Sequence, residues 1–293
     1  MSHSDDNIAL NLIRILDVEQ LEVDLFRGVG SGGETPTRIF GGQVIAQALA
    51  AAYGTVPSER LCHSLHAYFI RPGDPKIPVI YQVDRARDGG SFTTRRVVAI
   101  QHGKQILNMA ASFHVAEPGF DHQHDMPDVT PPEDLLDREQ LRDKYLHLFP
   151  EKFHAEFLRK RPIQIREIDP PHPLMPEGQS DINHMWIRLP EAKGLSPQMQ
   201  HILMAYASDM NLLGSSLRPH AQTWFTGQVM TASLDHALWF HGPLTFDDWH
   251  LYTMDAPFTG GARGFNRGKI YTRDGRLVAS TAQEGLMRPI DKS

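Results

Sequence analysis

The sequence predicts an α+β protein made of two similar halves, each a helix followed by several antiparallel strands. Three observations carry that expectation: a diverged internal repeat, one helical stretch per half, and glycine- and proline-marked turns at hairpin spacing. The repeat emerges when GKQILNMAASF (103–113) is set over GRLVASTAQEG (275–285). Gly103 then meets Gly275, Lys104 meets Arg276, Ile106 meets Val278 and Ala110 meets Ala282, and at the same offset Arg95 meets Arg267. Upstream, HAYFIRPGD (66–74) matches HALWFHGPL (236–244) at nearly that offset, with His66 on His236 and Phe69-Ile70 on Trp239-Phe240. Two matches in the same order argue for duplication. Two copies are too few for a solenoid, which needs three or more, so the halves are expected to pack face to face.

In the first half, QVIAQALAAAY (43–53) is alanine-rich and reads as a helix. Strand-like runs follow near 62–71, 77–86, 91–101 and 105–115, separated by RPGDP, RDGG and HGK turns. In the second half, Ser196 is a good N-cap, Pro197 suits the first helical position and Gly214 is a candidate stop. Strands are expected near 227–240, 248–256, 263–273 and 276–288, the last two joined by an Asp274-Gly275 hairpin turn. Residues 117–180 separate the halves: PGFDHQHDMPDVTPPED reads as a linker, LLDREQLRDKYL as a helical patch, and PPHPLMPEGQ as a further loop. The expected organisation is therefore 1–116, a linker or insert at 117–180, and 181–293.

Composition narrows the function classes. With 41% hydrophobic and 22% charged residues, the chain is an ordinary globular protein, and no apolar run approaches the roughly 20 residues of a membrane span. A net charge of −6 argues against a broad nucleic-acid surface. The lone Cys62 excludes an internal disulfide and fits a reducing compartment. MSHSDDNIAL has no apolar signal core, and Asp291-Lys292-Ser293 is not a peroxisomal Ser-Lys-Leu ending. The expected location is cytoplasmic.

Several motifs weaken on inspection. Gly28, Gly30 and Gly33 spell G-x-G-x-x-G, but the apparent helix VEQLEVDLF precedes them and strand-like TRIF follows, the wrong context for a dinucleotide. His122 and His124 in DHQHD have no second ligand cluster, so no metal is expected. Cys62 opens an apolar strand, where a thiol usually serves as a small buried hydrophobe.

Two polar residues resist such explanations. Asp209 falls at the edge of the apolar stripe Met199, Ile202, Leu203, Tyr206, Met210 and Leu213, where a carboxylate is costly unless hydrogen-bonded. Gln283 lies in a strand where the repeat places Ala111, so one half has an amide and the other a methyl. The overlay also sets Ser233 against His63. The run TASLDHALWFH (231–241) suggests a compressed Ser-His-Asp triad. In a regular strand, however, Ser233 and His236 face opposite sides, and Ser233 and Asp235 are about 6.5–7 Å apart. Ser233 must find partners elsewhere.

The blocks FGGQVIAQAL, HSLHAYFIRPGD, YASDMNLL, ASLDHALWFH, ARGFNRG and LVASTAQEGLMR, in this order, resemble the type II acyl-CoA thioesterases. That resemblance implies a double hotdog fold: two helix-wrapped antiparallel sheets in one chain, with the catalytic residues in the second. It implies hydrolysis of fatty acyl-CoA without metal, cofactor or acyl-enzyme, by a water held on Asp209, Ser233 and Gln283. It also implies a homo-oligomer. The Gly41-Gly42 turn is a candidate oxyanion donor. Arg71, Arg95, Arg263 and Arg267 are candidates for the CoA phosphates, and His63 for substrate binding. Two rivals share the fold. An enoyl-CoA hydratase is echoed by Asp209-Met210-Asn211, but Leu212-Leu213-Gly214 stand where its histidine should follow. A non-catalytic acyl-CoA binder would be expected to lose one of the three polar positions.

Overall fold

The computed structural model describes residues 5–30, 37–149, 151, 154–155 and 158–290. After helix α1 (Asp5–Leu16) the chain forms β1 (Glu19–Glu22) and β2 (Leu25–Gly28), then α2 (Gly41–Tyr53). Strands β3 (Arg60–Phe69), β4 (Val79–Asp88), β5 (Phe92–Gln101) and β6 (Lys104–Val115) complete the first half. The intervening segment carries α3 (Arg138–Tyr145) and β7 (Gln164–Ile168). The second half runs through β8 (Asn183–Arg188), α4 (Pro197–Ser208), a single turn α5 (Gly214–Leu217), β9 (Val229–Ser233), β10 (Asp235–Phe240), β11 (His250–Gly260), β12 (Arg263–Thr272) and β13 (Leu277–Pro289).

All strands join one antiparallel sheet in the order β1-β2-β4-β5-β6-β3-β10-β13-β12-β11-β8-β7, with β9 also on β13. The seam between halves is β3 on β10, with Ala67 opposite His236 and Leu65 opposite Leu238. The half-sheets β2-β4-β5-β6-β3 and β8-β11-β12-β13-β10 mirror each other in order, as duplication predicts. Helices α2 and α4 lie inside. Almost every residue from Gly42 to Ala52 and from Gln200 to Ser208 is buried, so these helices contact protein all round rather than on one stripe. Small side chains permit the close approach: a Cβ on Gly42 would lie 2.4 Å from the Tyr206 carbonyl oxygen.

The structure corrects several sequence expectations. VEQLEVDLF is the β1–β2 hairpin, turned at Asp24 with φ 59°, not a helix. The residues of β1 are all exposed, so they show no buried face for a strand pattern to register. Its glutamates blunt an open sheet edge. TRIF is not a strand. Gly28 ends β2 and Gly30 lies in a bend, while Gly33 lies outside the described residues. Gly214 begins α5 instead of stopping α4, which ends at Ser208. The predicted strand 227–240 divides at Leu234: Ser233 is opposite Gly285, but Ala237 is opposite Ala282, so one residue bulges between them.

The repeat also slips by one residue. The β5–β6 hairpin turns on His102-Gly103, both at positive φ, the backbone of a two-residue primed turn. The β12–β13 turn needs Arg273, Asp274 and Gly275. Ala111 therefore pairs with Arg95, whereas Gln283 pairs with Asn266. The structural counterpart of Arg95 is Asn266, and Arg267, one position along, points outward.

The segment after β6 crosses the second half without regular structure. Gln123 donates to the Gly275 carbonyl (2.8 Å) and accepts from the Leu277 amide (2.9 Å), and Trp186 donates to the Thr130 carbonyl (2.9 Å). Met126, Val129 and Leu135 pack on Trp186, Trp249, Leu251 and Tyr271. Among the described residues no cluster could hold a metal ion, and no helix is long and apolar enough to cross a membrane.

Candidate active site

A cavity of about 840 Å³ lies where the N-terminus of α2 meets the C-terminus of α4. Gly41 and Val44 form one wall, Asp209 to Asn211 with Leu213 and Gly214 another, and Met230 to Leu234 a third; α3 and residues near 165–173 close it.

Asp209 follows the last residue of α4 and is buried. That position is electrostatically poor for an anion, because unpaired carbonyls end the helix. Three contacts compensate. Asp209 Oδ1 accepts from Gln283 Nε2 (2.6 Å), Oδ2 accepts from the Gly42 amide (2.8 Å), and the charge of Arg38 acts on it. Burial nevertheless dominates and pushes its pKa up to about 6. Gly42 sits in the first turn of α2, whose N-cap residue Phe40 supplies no side-chain hydrogen bond. Asp209 thus caps α2 from the other half of the molecule. A Cβ on Gly41 would fall 2.7 Å from Asp209 Oδ2 and 2.9 Å from the Phe69 ring, so only glycine admits the carboxylate here.

Gln283 on β13 is buried and faces Asp209. Ser233 lines the cavity. Its partner Gly285 is two residues from Gln283, so the two side chains share the inner face of the sheet. The bulge at Leu234 also puts His236 on that face, contrary to the alternation expected of an unbroken strand. The triad still does not form, since His236 Nε2 meets Ser208 Oγ at 2.9 Å and Nδ1 meets Gln283 Nε2 at 3.4 Å. Asp235 instead accepts from the Glu284 amide (2.7 Å).

The remaining sequence candidates separate. Gly41 lines the cavity, but the Gly42 amide is committed to Asp209 and is not available as an oxyanion donor. Arg71 lines the cavity and donates to the Gln105 carbonyl (2.8 Å). Arg263 is paired with Glu284 (2.8 Å), and Arg267 with Asp255 (2.8 Å), both on the exposed outer face. Arg95 is buried on Thr55 and the Asp88 carboxylate (2.6 Å), out of reach of any phosphate. His63 lies away from the cavity, against Ser112 (2.8 Å) and the Phe92 ring. Cys62 is buried and its thiol pKa is pushed up. Sequence reasoning missed Arg38, Arg138, Arg142, Arg161 and Arg218, which line the cavity with Arg71. Four of these five follow residue 117, and the arginine spacing in REQLR was the available signal.

An α+β fold of two helix-wrapped half-sheets, with a buried carboxylate–amide pair beside an arginine-lined cavity, is that of a hotdog-fold protein. The known proteins it matches agree. A family model described as acyl-CoA thioesterase matches residues 155–286, and one described as the acyl-CoA thioesterase N-terminal domain matches 32–114. The chain is 40% identical to acyl-coenzyme A thioesterase 8 of Mus musculus, over 97% of this chain and 91% of that protein. It is 37% identical to acyl-CoA thioesterase 2 of Haemophilus influenzae, over 96% and 98%. The crystal structure of an acyl-CoA thioesterase II, TesB2, from Mycobacterium marinum superposes with a TM-score of 0.76 at 38% identity, covering 97% of this chain and 99% of that one. The chain belongs to the acyl-CoA thioesterase family.

Proposed function

We propose that the protein hydrolyses fatty acyl-CoA to free acid and CoA by a water activated between Asp209, Ser233 and Gln283. The observation that carries this reading is the buried Asp209, whose two oxygens are held by Gln283 and Gly42 at the cavity wall. A carboxylate with a pKa near 6 is ionised at neutral pH yet more basic than an exposed aspartate. Asp209 takes a proton from the water as its oxygen attacks the thioester carbonyl. The tetrahedral intermediate collapses with cleavage of the C–S bond. CoA leaves as a thiolate and takes up the proton, and the acyl group departs as the acid. Ser233, on the same inner face, fixes the water's second side. The apolar wall, with Ile39, Val44, Leu107, Leu213 and Leu217, suits an acyl chain. The cavity arginines suit the CoA phosphates.

No histidine lines the cavity among the described residues, which favours hydrolysis over the hydratase reading. Likeness to a dehydratase domain at 13% identity reflects the fold alone. The test is thiol release across an acyl-CoA series, short to long, for wild type and Asp209→Asn. Collapse of turnover with acyl-CoA binding retained is the expected result. Wild-type binding without thiol release at any length would refute hydrolysis.

A further inference from the structure

The proposed mechanism leaves His236 unused, although it is buried beside the site and bonded on both ring nitrogens. The hydrogen bonds determine which nitrogen carries the proton. Ser208 Oγ donates its one hydrogen to the Ala205 carbonyl (2.9 Å), a backbone acceptor that cannot return it. The 2.9 Å contact between Ser208 Oγ and His236 Nε2 must then run the other way, with Nε2–H donating. Nδ1 is left as a bare acceptor, and Gln283 Nε2 stands 3.4 Å from it. Burial supports this neutral ring, lowering its pKa to about 3.

Gln283 Nε2 has two hydrogens and faces two acceptors, Asp209 Oδ1 at 2.6 Å and His236 Nδ1 at 3.4 Å. Rotating the amide by half a turn would set its carbonyl against the carboxylate and the ring lone pair together. Gln283 Oε1, by contrast, is buried with no hydrogen-bond partner among the described residues, so none of them holds the amide from the oxygen side. Its orientation is fixed from the nitrogen side alone.

We propose that His236 is a positioning residue: anchored by Ser208, it acts through Gln283 and keeps that amide donating to Asp209. This rests on the Asp209–Gln283 mechanism above and extends it by one layer. The relay begins at Ser208 in α4, crosses to β10 and β13, and returns to Asp209, the residue that follows α4.

The two amide replacements of histidine separate this role from mere packing. His236→Asn sets a side-chain oxygen near the position of Nδ1 and can accept from Gln283. His236→Gln reaches the Ser208 side and loses that acceptor. The expected result is a fall in kcat of about 10- to 100-fold for His236→Gln with KM nearly constant, and recovery of most of that loss in His236→Asn. Asp209 is faced by the Gly42 amide from α2, Gln283 from β13, the charge of Arg38, and the Tyr252 phenol from β11. Only the Gln283 bond is altered, so the acid limb of the kcat–pH profile moves upward in His236→Gln and not in His236→Asn. A purely structural defect would lower the yield of active enzyme without moving that limb.

The double variant His236→Gln/Gln283→Ala decides the route. Its kcat should equal that of Gln283→Ala alone. Additive losses in the double variant, or equal losses in His236→Gln and His236→Asn, would overturn the proposal. Should His236→Gln fold poorly, Ser208→Ala removes only a hydroxyl, and no change in kcat or in the acid limb would count equally against it. If Gln283→Ala turns over like wild type, the underlying mechanism itself fails, an outcome distinct from the others.

Discussion

The two halves share helix, strand order and hairpins, yet they treat the end of the central helix differently. In the first half α2 is followed by Gly54, which bonds back to the Ala50 carbonyl and offers no side chain. In the second, the corresponding position is Asp209. On the strands nearby, the first half has Ala111 opposite Arg95, and the second has Gln283 opposite Asn266. Arg95 satisfies its guanidinium locally, on Thr55, the Arg87 and Thr94 carbonyls, and Asp88. The helix starts differ in a complementary way. α4 is capped by its own Ser196, whose Oγ accepts from the Met199 amide, whereas α2 receives its cap from Asp209 across the molecule. The duplicated scaffold thus keeps one copy of the position for stability and uses the other to hold a carboxylate. The hydrogen bond from the first half's Gly42 amide, with that from Gln283, favours the ionised form of that carboxylate.

The largest expected effect tests that division directly. Asp209→Asn should lower kcat by about 10³-fold, measured by thiol release, while binding of acyl-CoA persists. The same variant reports the cost of burying the charge. The folded pKa near 6 lies above the ordinary aspartate value, so stability is full at low pH and lost as pH rises through about 6. Asparagine does not titrate. Its Tm should exceed that of wild type above pH about 6, and the margin should close towards pH about 4. A margin independent of pH would mean that Asp209 is not buried as a carboxylate. Wild-type kcat should itself fall on the acid side with an apparent pKa near 6, and Gln283→Ala should raise that value by removing a hydrogen bond that favours the anion.

A smaller effect is expected from the first half's counterpart. Arg95→Met strands the acceptors now on its guanidinium and should cost about 2–4 kcal/mol in denaturant unfolding. Folded Arg95→Met should retain wild-type kcat and KM; a specific loss of kcat would show that the first half takes part in the reaction through more than α2. The smallest is Ser196→Ala, about 1 kcal/mol by the same measurement, with turnover unchanged.

Much of this was legible because duplication supplies an internal control. Asp209 stood out against its own helix pattern, and Gln283 against Ala111. Helices α2 and α4 and most strands followed from alanine content, caps and turn residues, whereas α1 carried none of those marks. What the sequence hid has local causes. One extra residue in the β12–β13 turn slips the overlay, so the sequence matches Arg95 to the outward Arg267, whereas its structural counterpart is Asn266. The bulge at Leu234 reverses the alternation that set Ser233 and His236 apart. Three of the cavity arginines, Arg138, Arg142 and Arg161, come from a segment whose packing depends on long-range contacts such as Gln123 on the β12–β13 turn, which no local pattern encodes.

The β3–β10 seam has one further consequence. In a pair of separate hotdog chains such a junction would form by association, and dilution would open it. Here the segment between β6 and β7 ties the two edges together, so the effective concentration of one edge for the other is set by the tether and not by the amount of protein. The second-half carboxylate therefore always finds the helix start it caps, even in a molecule alone in solution.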